Sequence, residues 1–429
     1  MRHRLIALAL SASLLMCCTS CYPIVEAIFG EPMCRAVALG DLDGDSDLDA
    51  FLANGRYEAF ESNTVWLNSG AGQFRDSGQR LGKPIDTHSA ALGDLDADGD
   101  LDSFVGNGIT CQMFENDGSG RFTAHQWLGT PADSGAWSWT VALGDVDGDG
   151  DLDAFAAGCC GSTRSSGAAK WFNRPYNMVW LNDGAGNFQD SGQRLGMLGS
   201  KAIALGDLDG DGDIDAFVGN SHDTSGQDRH NQPNKIWLND GTGQFSDSGQ
   251  LLGGAETQAL ALGDVDDDGD LDAFVGNVGP NEVWLNDGGA QGGALGNFSS
   301  SGQALGNADT RVVTLADLDS DGDSDAFVGN KTTGEIWLND GTGNFRDSRQ
   351  SMRYSGKRVV ALGDVDNNGT LDVFAGRYDH DYRVWYNDGS GRFRPYGHRS
   401  SVVYWLAGGI IVLGSGLLCW RVGRRRQQG

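Results

Sequence analysis

The sequence predicts an all-β repeat protein, and three observations support that prediction. An acidic nine-residue segment with Asp at alternate positions recurs seven times, at intervals of 47 to 62 residues. A second signature of the form Val-Trp-Leu-Asn-Asp-Gly-x-Gly-x-Phe follows each copy, and short apolar runs bounded by turn residues surround both. Four short strands per unit of this length are typical of a propeller blade. We therefore predict a seven-bladed β-propeller of four-stranded blades, followed by one C-terminal transmembrane helix.

The acidic segment from Asp207 to Asp215 shows the predicted chemistry most clearly. Its carboxylates occupy positions 1, 3, 5, 7 and 9, and Gly212 at position 6 permits a sharp turn. Ca²⁺ takes six to eight oxygen ligands, and short Asp side chains spaced by two can converge on one ion. We expect positions 1, 3, 5 and 9 to supply side-chain ligands and position 7 to supply its backbone oxygen.

The residues that follow this segment exclude a helical calcium motif. An EF-hand continues into a helix and supplies a bidentate Glu at position 12, where this chain has Val218. Residues 215–220 instead form a short apolar run closed by Gly219 and Asn220, which indicates a strand. The ion is therefore predicted between two β-strands.

The seven acidic loops, numbered one to seven in chain order, predict up to seven structural Ca²⁺ ions. Ser46 replaces the glycine of loop one, and Asn368 replaces a charged ligand in loop seven. We expect loop seven to bind Ca²⁺ most weakly because one ligand charge is missing. The candidate metal ligands are Asp41, Asp43, Asp45, Asp47 and Asp49; Asp94, Asp96, Asp98, Asp100 and Asp102; Asp145, Asp147, Asp149, Asp151 and Asp153; Asp207, Asp209, Asp211, Asp213 and Asp215; Asp264, Asp266, Asp268, Asp270 and Asp272; Asp317, Asp319, Asp321, Asp323 and Asp325; and Asp364, Asp366, Asn368, Thr370 and Asp372.

The two signatures together resemble the FG-GAP or VCBS repeats of integrin-α-like propellers, over about 340 of the 429 residues. The resemblance implies a seven-bladed β-propeller with calcium in the loop between the first two strands of each blade. It implies no single activity, because such propellers serve adhesion, carbohydrate binding and, less often, catalysis.

Charge limits the class of partner. The net charge is −28, and the acidic loops contain more than half of the 59 acidic residues. Seven Ca²⁺ ions would offset half of that net charge. A surface that stays acidic is poorly suited to a phosphate backbone, so nucleic acid is not an expected partner.

The two ends of the chain predict export and membrane attachment. Residues 1–20 resemble a secretory signal peptide, and residues 21–400 contain the propeller. Residues 402–420 are free of charge and precede a basic tail at 421–429, which predicts a single membrane span with the propeller outside the cell. Two alternatives stay open, a lipoprotein signal at the N-terminus and a processed bacterial sorting tail at the C-terminus.

Aromatic and histidine residues outside the repeat are the candidate ligand-binding residues. They fall in blade crossovers and in loops between second and third strands, which share the propeller face opposite the acidic loops. Exposed loop aromatics often bind sugars or protein partners. The candidates are Trp137, Trp139, Trp171, Tyr176, His222, His230, Tyr378 and His380.

The sequence contains no catalytic signature: no His-Glu-x-x-His, no Gly-x-Ser-x-Gly, no P-loop and no dinucleotide fingerprint. We therefore expect an extracellular binding or adhesion module, tethered to the cell membrane, with a carbohydrate or protein ligand and no enzymatic activity. The alternatives are a lyase or hydrolase that acts on polysaccharide and a purely structural surface protein.

Overall fold

The computed structural model describes most of the repeat region and little of either end. The described residues are 34–55, 62–82, 87–107, 110–129, 136–160, 176–196, 199–221, 232–288, 292–353, 358–377, 381–395, 404–406 and 409–411. Their regular structure is entirely β, so the all-β prediction is confirmed for them. The predicted signal peptide at 1–20 and basic tail at 421–429 lie outside these ranges.

Each acidic loop joins the first two strands of an antiparallel sheet, and the strands of a sheet pair in chain order. We number the repeat units one to seven with their acidic loops. The strands of units one to four are β1 (Cys34–Gly40), β2 (Asp49–Asn54), β3 (Thr64–Leu67) and β4 (Arg75–Asp76); β5 (Thr87–Gly93), β6 (Asp102–Asn107), β7 (Cys111–Asn116) and β8 (Phe122–Leu128); β9 (Ala136–Gly144), β10 (Asp153–Cys160), β11 (Met178–Asn182) and β12 (Phe188–Asp190); and β13 (Ser200–Gly206), β14 (Asp215–Asn220), β15 (Lys235–Asn239) and β16 (Phe245–Asp247).

Units five and six differ because their sheets are joined into one. The connection after the second strand of unit five is so short that the second and third strands form one bent strand, β18. The edge of β18 then pairs with β20, at Val278 opposite Asp309. The strands of units five to seven are β17 (Glu256–Gly263), β18 (Asp272–Asn286) and β19 (Phe298–Ser300); β20 (Leu305–Ala316), β21 (Asp325–Asn330), β22 (Thr333–Leu338) and β23 (Arg346–Arg353); and β24 (Arg358–Gly363), β25 (Asp372–Arg377), β26 (Asp381–Asn387) and β27 (Phe393–Pro395).

The first strands of the units pack side by side around a common centre. The order of contacts is β1, β5, β9, β13, β17, β20 and β24, and β24 in turn contacts β1. The hydrophobic core lies between neighbouring units, where for example Phe155 of unit three meets Phe245 of unit four. Phe74 of unit one packs on Phe374 of unit seven, with ring centroids 4.7 Å apart. These repeated four-stranded sheets are the blades of a β-propeller.

Five of the outer strands, β4, β12, β16, β19 and β27, have only two or three residues. The motif Phe-x-Asp-Ser-Gly-Gln suggests one continuous strand, but β12 ends at Asp190. The Asp190 carboxylate there accepts a hydrogen bond from the Gly192 amide at 2.9 Å, and Gly192 has a φ of 80°. A side-chain acceptor and a left-handed glycine together form a turn, which ends the strand.

The predicted transmembrane helix at 402–420 is not confirmed. In that range the structure describes only β28 (Tyr404–Leu406) and β29 (Gly409–Ile411), which pair antiparallel. The aromatic and β-branched residues of this segment favour strands, which accounts for the pairing. Among the described residues no helix has the length and apolar character needed to cross a bilayer. The membrane span stays a prediction.

Candidate metal centres

The acidic loop folds around the carboxylate at its first position. In loop four, the two oxygens of Asp207 accept hydrogen bonds from the amides of Gly210 at 2.7 Å and Gly212 at 3.1 Å. Asp211 at position 5 accepts a hydrogen bond from the Asp213 amide at 3.0 Å. Equivalent bonds to positions 1 and 5 recur in the other loops, so the Asp residues shape the loop even before an ion is considered.

Two positions of every acidic loop adopt left-handed backbone conformations. The sequence predicts a sharp turn at position 6, where Ser46 of loop one adopts a φ of 72°. The sequence does not predict a similar turn at position 4, yet φ there is also positive in all seven loops. Only Gly avoids a steric cost in this region. The residues at position 4 are Gly44, Ala97, Gly148, Gly210, Asp267, Ser320 and Asn367.

Carboxylate oxygens converge inside the loops closely enough to hold one ion. In loop four the candidate oxygens of Asp207, Asp209 and Asp215 all lie within 4.8 Å of one another. Every donor is an oxygen, which suits a hard cation such as Ca²⁺ or Mg²⁺. Comparable groups are Asp41, Asp43 and Asp45; Asp94, Asp96 and Asp102; Asp145, Asp147 and Asp153; and Asp264, Asp266 and Asp272.

The Asp at position 3 gives the strongest sign that a cation fits. One oxygen of Asp209 is buried and accepts no hydrogen bond. Burial, followed by the negative charge of Asp211, raises the pKa of Asp209 above its usual value. A cation would supply the partner that this oxygen lacks and would relieve the repulsion. The position-3 residues that share the buried, unpartnered oxygen are Asp43, Asp147, Asp209, Asp319 and Asp366.

The Asp at position 9 has a structural role that the spacing did not reveal. Asp215 is fully buried, and its two oxygens accept hydrogen bonds from the amides of Leu208 at 3.0 Å and Asn239 at 2.8 Å. It therefore joins the acidic loop to the third strand of its own sheet. Burial raises the pKa of Asp215 to about 6, although these two bonds oppose the shift. Its predicted role as a side-chain metal ligand stays a prediction.

The Asp at position 7 explains the glycine of the second signature. A Cβ on Gly241 would lie 2.6 Å from an oxygen of Asp213 and would have to displace that carboxylate, and the φ of 75° at this residue also favours glycine. The same contact relates Asp47 to Gly70, at 2.6 Å. The two signatures of each unit therefore pack against each other, and the side chain at position 7 faces the turn between the third and fourth strands. The predicted ligand at this position, its backbone oxygen, is not tested by this contact.

A buried Asn at the end of each third strand links neighbouring units. Asn239 of unit four donates from its side-chain amide to the carbonyl of Val146 in loop three, at 2.7 Å, and to that of Ile214 in its own loop, at 3.1 Å. The series closes with Asn68 of unit one, which donates to the Val365 carbonyl of loop seven at 2.9 Å. The equivalent donors are Asn116, Asn182, Asn286, Asn339 and Asn387.

A Gln in the fourth-strand segment links each unit to the next one. Gln193 of unit three donates to the Gly243 carbonyl at 2.6 Å and accepts from the Phe245 amide at 2.8 Å. The junction of units seven and one uses different chemistry. There the hydroxyl of Tyr382 accepts from the Phe74 amide at 3.0 Å, and Tyr386 donates to the Ala71 carbonyl, also at 3.0 Å.

The candidate ligand-binding residues are only partly described. The backbones of Trp137 and Trp139 lie in β9, at the end remote from loop three. Tyr176 is half-buried, and the Arg194 guanidinium lies over its ring at 5.1 Å from the centroid. The others lie outside the described residues, so their convergence on one face stays a prediction; they are Trp171, His222, His230, Tyr378 and His380.

Comparisons with solved structures agree with the fold. One similar structure is an Agrocybe aegerita lectin, which is described as recognising non-reducing terminal N-acetylglucosamine. The sequence identity is 18% and the TM-score is 0.50, and the match covers 84% of this chain and 92% of the lectin chain. Another is BBS1N in complex with ARL6DN, with 10% identity, a TM-score of 0.51, and coverage of 82% of this chain and 90% of that one. No curated protein matches this chain by sequence.

The family assignment depends on the repeat itself. The model of the FG-GAP-like repeat matches residues 41–105, 94–156, 207–275, 264–328 and 317–375, which together include more than half of the chain. Each matched segment begins at the first Asp of an acidic loop and ends in the second strand of the following unit. The chain therefore belongs to the FG-GAP-like repeat family.

Proposed function

We propose that this chain is a calcium-stabilised, seven-bladed propeller that acts as an extracellular binding or adhesion module, tethered to the cell membrane by its C-terminal span. Support for seven blades comes from the seven acidic loops and from the contacts between units seven and one. The 2.9 Å hydrogen bond from Asn68 to the Val365 carbonyl repeats, across that junction, the bond found at every other one.

The observation that carries the calcium proposal is the buried, unpartnered oxygen of the position-3 Asp, as in Asp209. It lies in a group of carboxylates, and the nine residues of its loop include no Lys or Arg. Such a group repels itself when empty, whereas a divalent ion holds it together. Because the same group recurs around the ring, calcium acts here as a folding ligand.

The ligand is proposed to bind on the face opposite the acidic loops. Two similar scaffolds are described with ligands, one a lectin for terminal N-acetylglucosamine and one in complex with a protein partner. Loop aromatics on a rigid scaffold are suited to either kind of ligand. No catalytic step is proposed, because the sequence contains no catalytic signature.

Thermal melting of the full-length protein in low and high calcium tests the proposal that calcium stabilises the fold. Extracellular calcium modules bind at roughly 10⁻⁴ to 10⁻³ M, so about 1 mM Ca²⁺ stabilises each tight site by about 1.4 kcal/mol. Several sites together give a contribution comparable to the stability of a domain, about 5–15 kcal/mol. We expect a large rise in Tm between about 10 µM and about 2 mM Ca²⁺. A rise below about 3 °C would show that the sites contribute little.

A matched pair of variants assigns that effect to the loops. Asp211→Asn removes the negative charge of a predicted side-chain ligand, whereas Asp213→Asn retains the contact with Gly241 and the predicted backbone ligand. We expect the first variant to weaken calcium stabilisation more than the second. Equal effects would contradict the ligand assignment within the loop.

A glycan and extracellular-matrix array, probed with and without Ca²⁺, tests the proposal that the protein binds a carbohydrate or protein ligand. Alanine at Trp137, Trp139, Trp171 and Tyr378 should abolish capture without lowering Tm. Trp127→Ala is the control, because Trp127 is 41% exposed but lies outside the predicted set. If substrate is turned over instead, and the activity depends on His222 or His380, the enzyme alternative replaces the binding module.

A further inference from the structure

A central channel lies between the first strands of the units. Its cavity volume is about 560 Å³, which is in the range of small-molecule sites. Apart from Lys331, which follows β21, the residues that line it come from the halves of the first strands remote from the acidic loops. In β1, for example, residues 35–37 line the channel, whereas loop one begins at Asp41. The channel therefore opens away from the candidate metal centres.

The charge of the channel is opposite to that of the molecule. The net charge is −28, yet the described lining residues include five basic side chains, those of Arg35, His88, Lys201, Arg311 and Lys331. No Asp or Glu is among those lining residues. Four permanent positive charges facing one cavity are unexpected for so acidic a chain, so the channel differs from the rest of the surface.

Among the described residues, Asp309 and Glu256 lie beside the channel lining, and their carboxylates offset part of this charge. Asp309 accepts a hydrogen bond from Arg311 at 2.7 Å, and Glu256 accepts one from Gln258 at 2.8 Å. Arg311 also donates to the Gln258 side chain of the neighbouring unit at 3.0 Å. These bonds hold the Arg311 guanidinium in one orientation across the junction of units five and six. A guanidinium fixed in this way is suited to bind a planar anionic group.

A β-bulge that recurs in the first strands positions Arg35, Lys201 and Arg311. In β1 the pairing with β2 passes from Cys34 opposite Asn54 to Ala36 opposite Ala53, which leaves Arg35 as an extra residue. A β-bulge of this kind redirects a side chain and is common beside binding sites. The same shift occurs in five further first strands, so the bulge recurs around the channel. The extra residues there are His88, Trp139, Lys201, Gln258 and Arg311.

We propose that the channel end remote from the acidic loops binds an acidic saccharide through its carboxylate or sulfate group. Arg35, Lys201 and Lys331 supply positive charge from units one, four and six, and Arg311 supplies an oriented guanidinium. The cavity volume is sufficient for a small sugar, and the apolar parts of the lining can contact its ring faces. This inference rests on the proposed binding function and narrows it to a site and a ligand class.

Titration calorimetry on the full-length, calcium-loaded protein tests the proposal. The probes are a uronate disaccharide, a sulfated disaccharide, a neutral disaccharide of equal size, and inorganic sulfate. We expect one or both acidic sugars to bind more tightly than the neutral sugar. Their affinity should fall as the salt concentration is raised from about 0.05 M to about 0.3 M. Comparison of the two acidic probes distinguishes carboxylate from sulfate recognition. Binding of inorganic sulfate alone, equal binding of the neutral sugar, or no binding of either acidic sugar overturns the proposal.

Variants assign that binding to the channel. Lys201→Gln should weaken binding of the acidic sugar about tenfold or more, because a charge-assisted hydrogen bond is lost. Lys331→Gln is a second test on an exposed side chain, where misfolding is not expected. Arg80→Gln is the control, because Arg80 pairs with Asp76 at the surface and does not line the channel. If Lys201→Gln and Lys331→Gln both bind the acidic sugar as tightly as the Arg80→Gln control does, the channel is not the site.

The outcome can be separated from that of the proposed function. If the array detects a neutral glycan or protein ligand and Lys201→Gln captures it normally, the binding module stands and the channel proposal fails. If acidic sugars bind through Lys201 but the aromatic variants have no effect, the channel is the site and the predicted aromatic face is not.

Discussion

Replacing Asn182 by Ala tests whether the buried amides hold the units together. The Asn182 side chain donates to the Leu95 carbonyl of the preceding unit at 2.9 Å and to the Leu152 carbonyl of its own unit at 3.2 Å. Asn182 is only 6% exposed, so water cannot readily replace these bonds. Alanine would leave both carbonyls without this donor.

The magnitude follows from the cost of unsatisfied buried groups. Each costs about 1–3 kcal/mol, so the two carbonyls together lead us to expect that Asn182→Ala lowers the free energy of unfolding by about 2–6 kcal/mol. Since Leu95 is the second residue of loop two, we also expect calcium affinity to fall in loop two, although the substitution lies in unit three.

Urea unfolding in saturating calcium measures the first effect, and calcium titration measures the second. The matched control is Asn344→Ala, because Asn344 lies in the turn after Asn339 in unit six and its exposed amide donates to the Thr342 hydroxyl of the same turn at 2.8 Å. We expect that control to change the free energy of unfolding by less than about 0.5 kcal/mol. Equal values for the two variants would refute the argument that the buried amide joins the units.

Three further substitutions test other contacts. Ala97→Gly should raise the free energy of unfolding by about 0.5–1 kcal/mol in chemical denaturation, because Ala97 has a φ of 63°; an unchanged value would mean that the loop stores no strain there. Gly241→Ala should lower Tm more than Gly249→Ala, because both have positive φ but only Gly241 lies against a position-7 carboxylate, and equal losses would contradict that contact. Tyr382→Phe should increase amide hydrogen exchange in units one and seven more than in unit four, because it removes the acceptor of a hydrogen bond between the first two; uniform exchange would show that this bond does not hold the junction.

The parts predicted correctly from sequence depend on local patterns. The alternate Asp residues, the apolar run after Asp215 and the turn residues determine strands and loops within a few positions of one another. The convergence of Asp207 and Asp209 follows from their spacing alone, since side chains two apart around a tight turn must face the same centre.

The parts that could not be predicted depend on contacts between distant residues. A carboxylate such as Asp215 can bind a metal or accept backbone hydrogen bonds, and spacing does not distinguish these roles. The partner of Asn239, the Val146 carbonyl, lies 93 residues away in the chain, so no local pattern reveals it. The bulge at Arg35 likewise appears only once the register of β1 and β2 is known.

The amide contacts between units have a further consequence for how the protein unfolds. Linear repeat arrays have terminal repeats that fray first and need protective caps. Here Asn68 donates to loop seven, so each unit has a neighbour on both sides and no unit is terminal. Unfolding must therefore begin by breaking a junction, and the junction of units seven and one is the one that depends on two tyrosines instead of a Gln. The rate at which the first junction opens would then set the lifetime of the folded protein, which makes that lifetime a kinetic property.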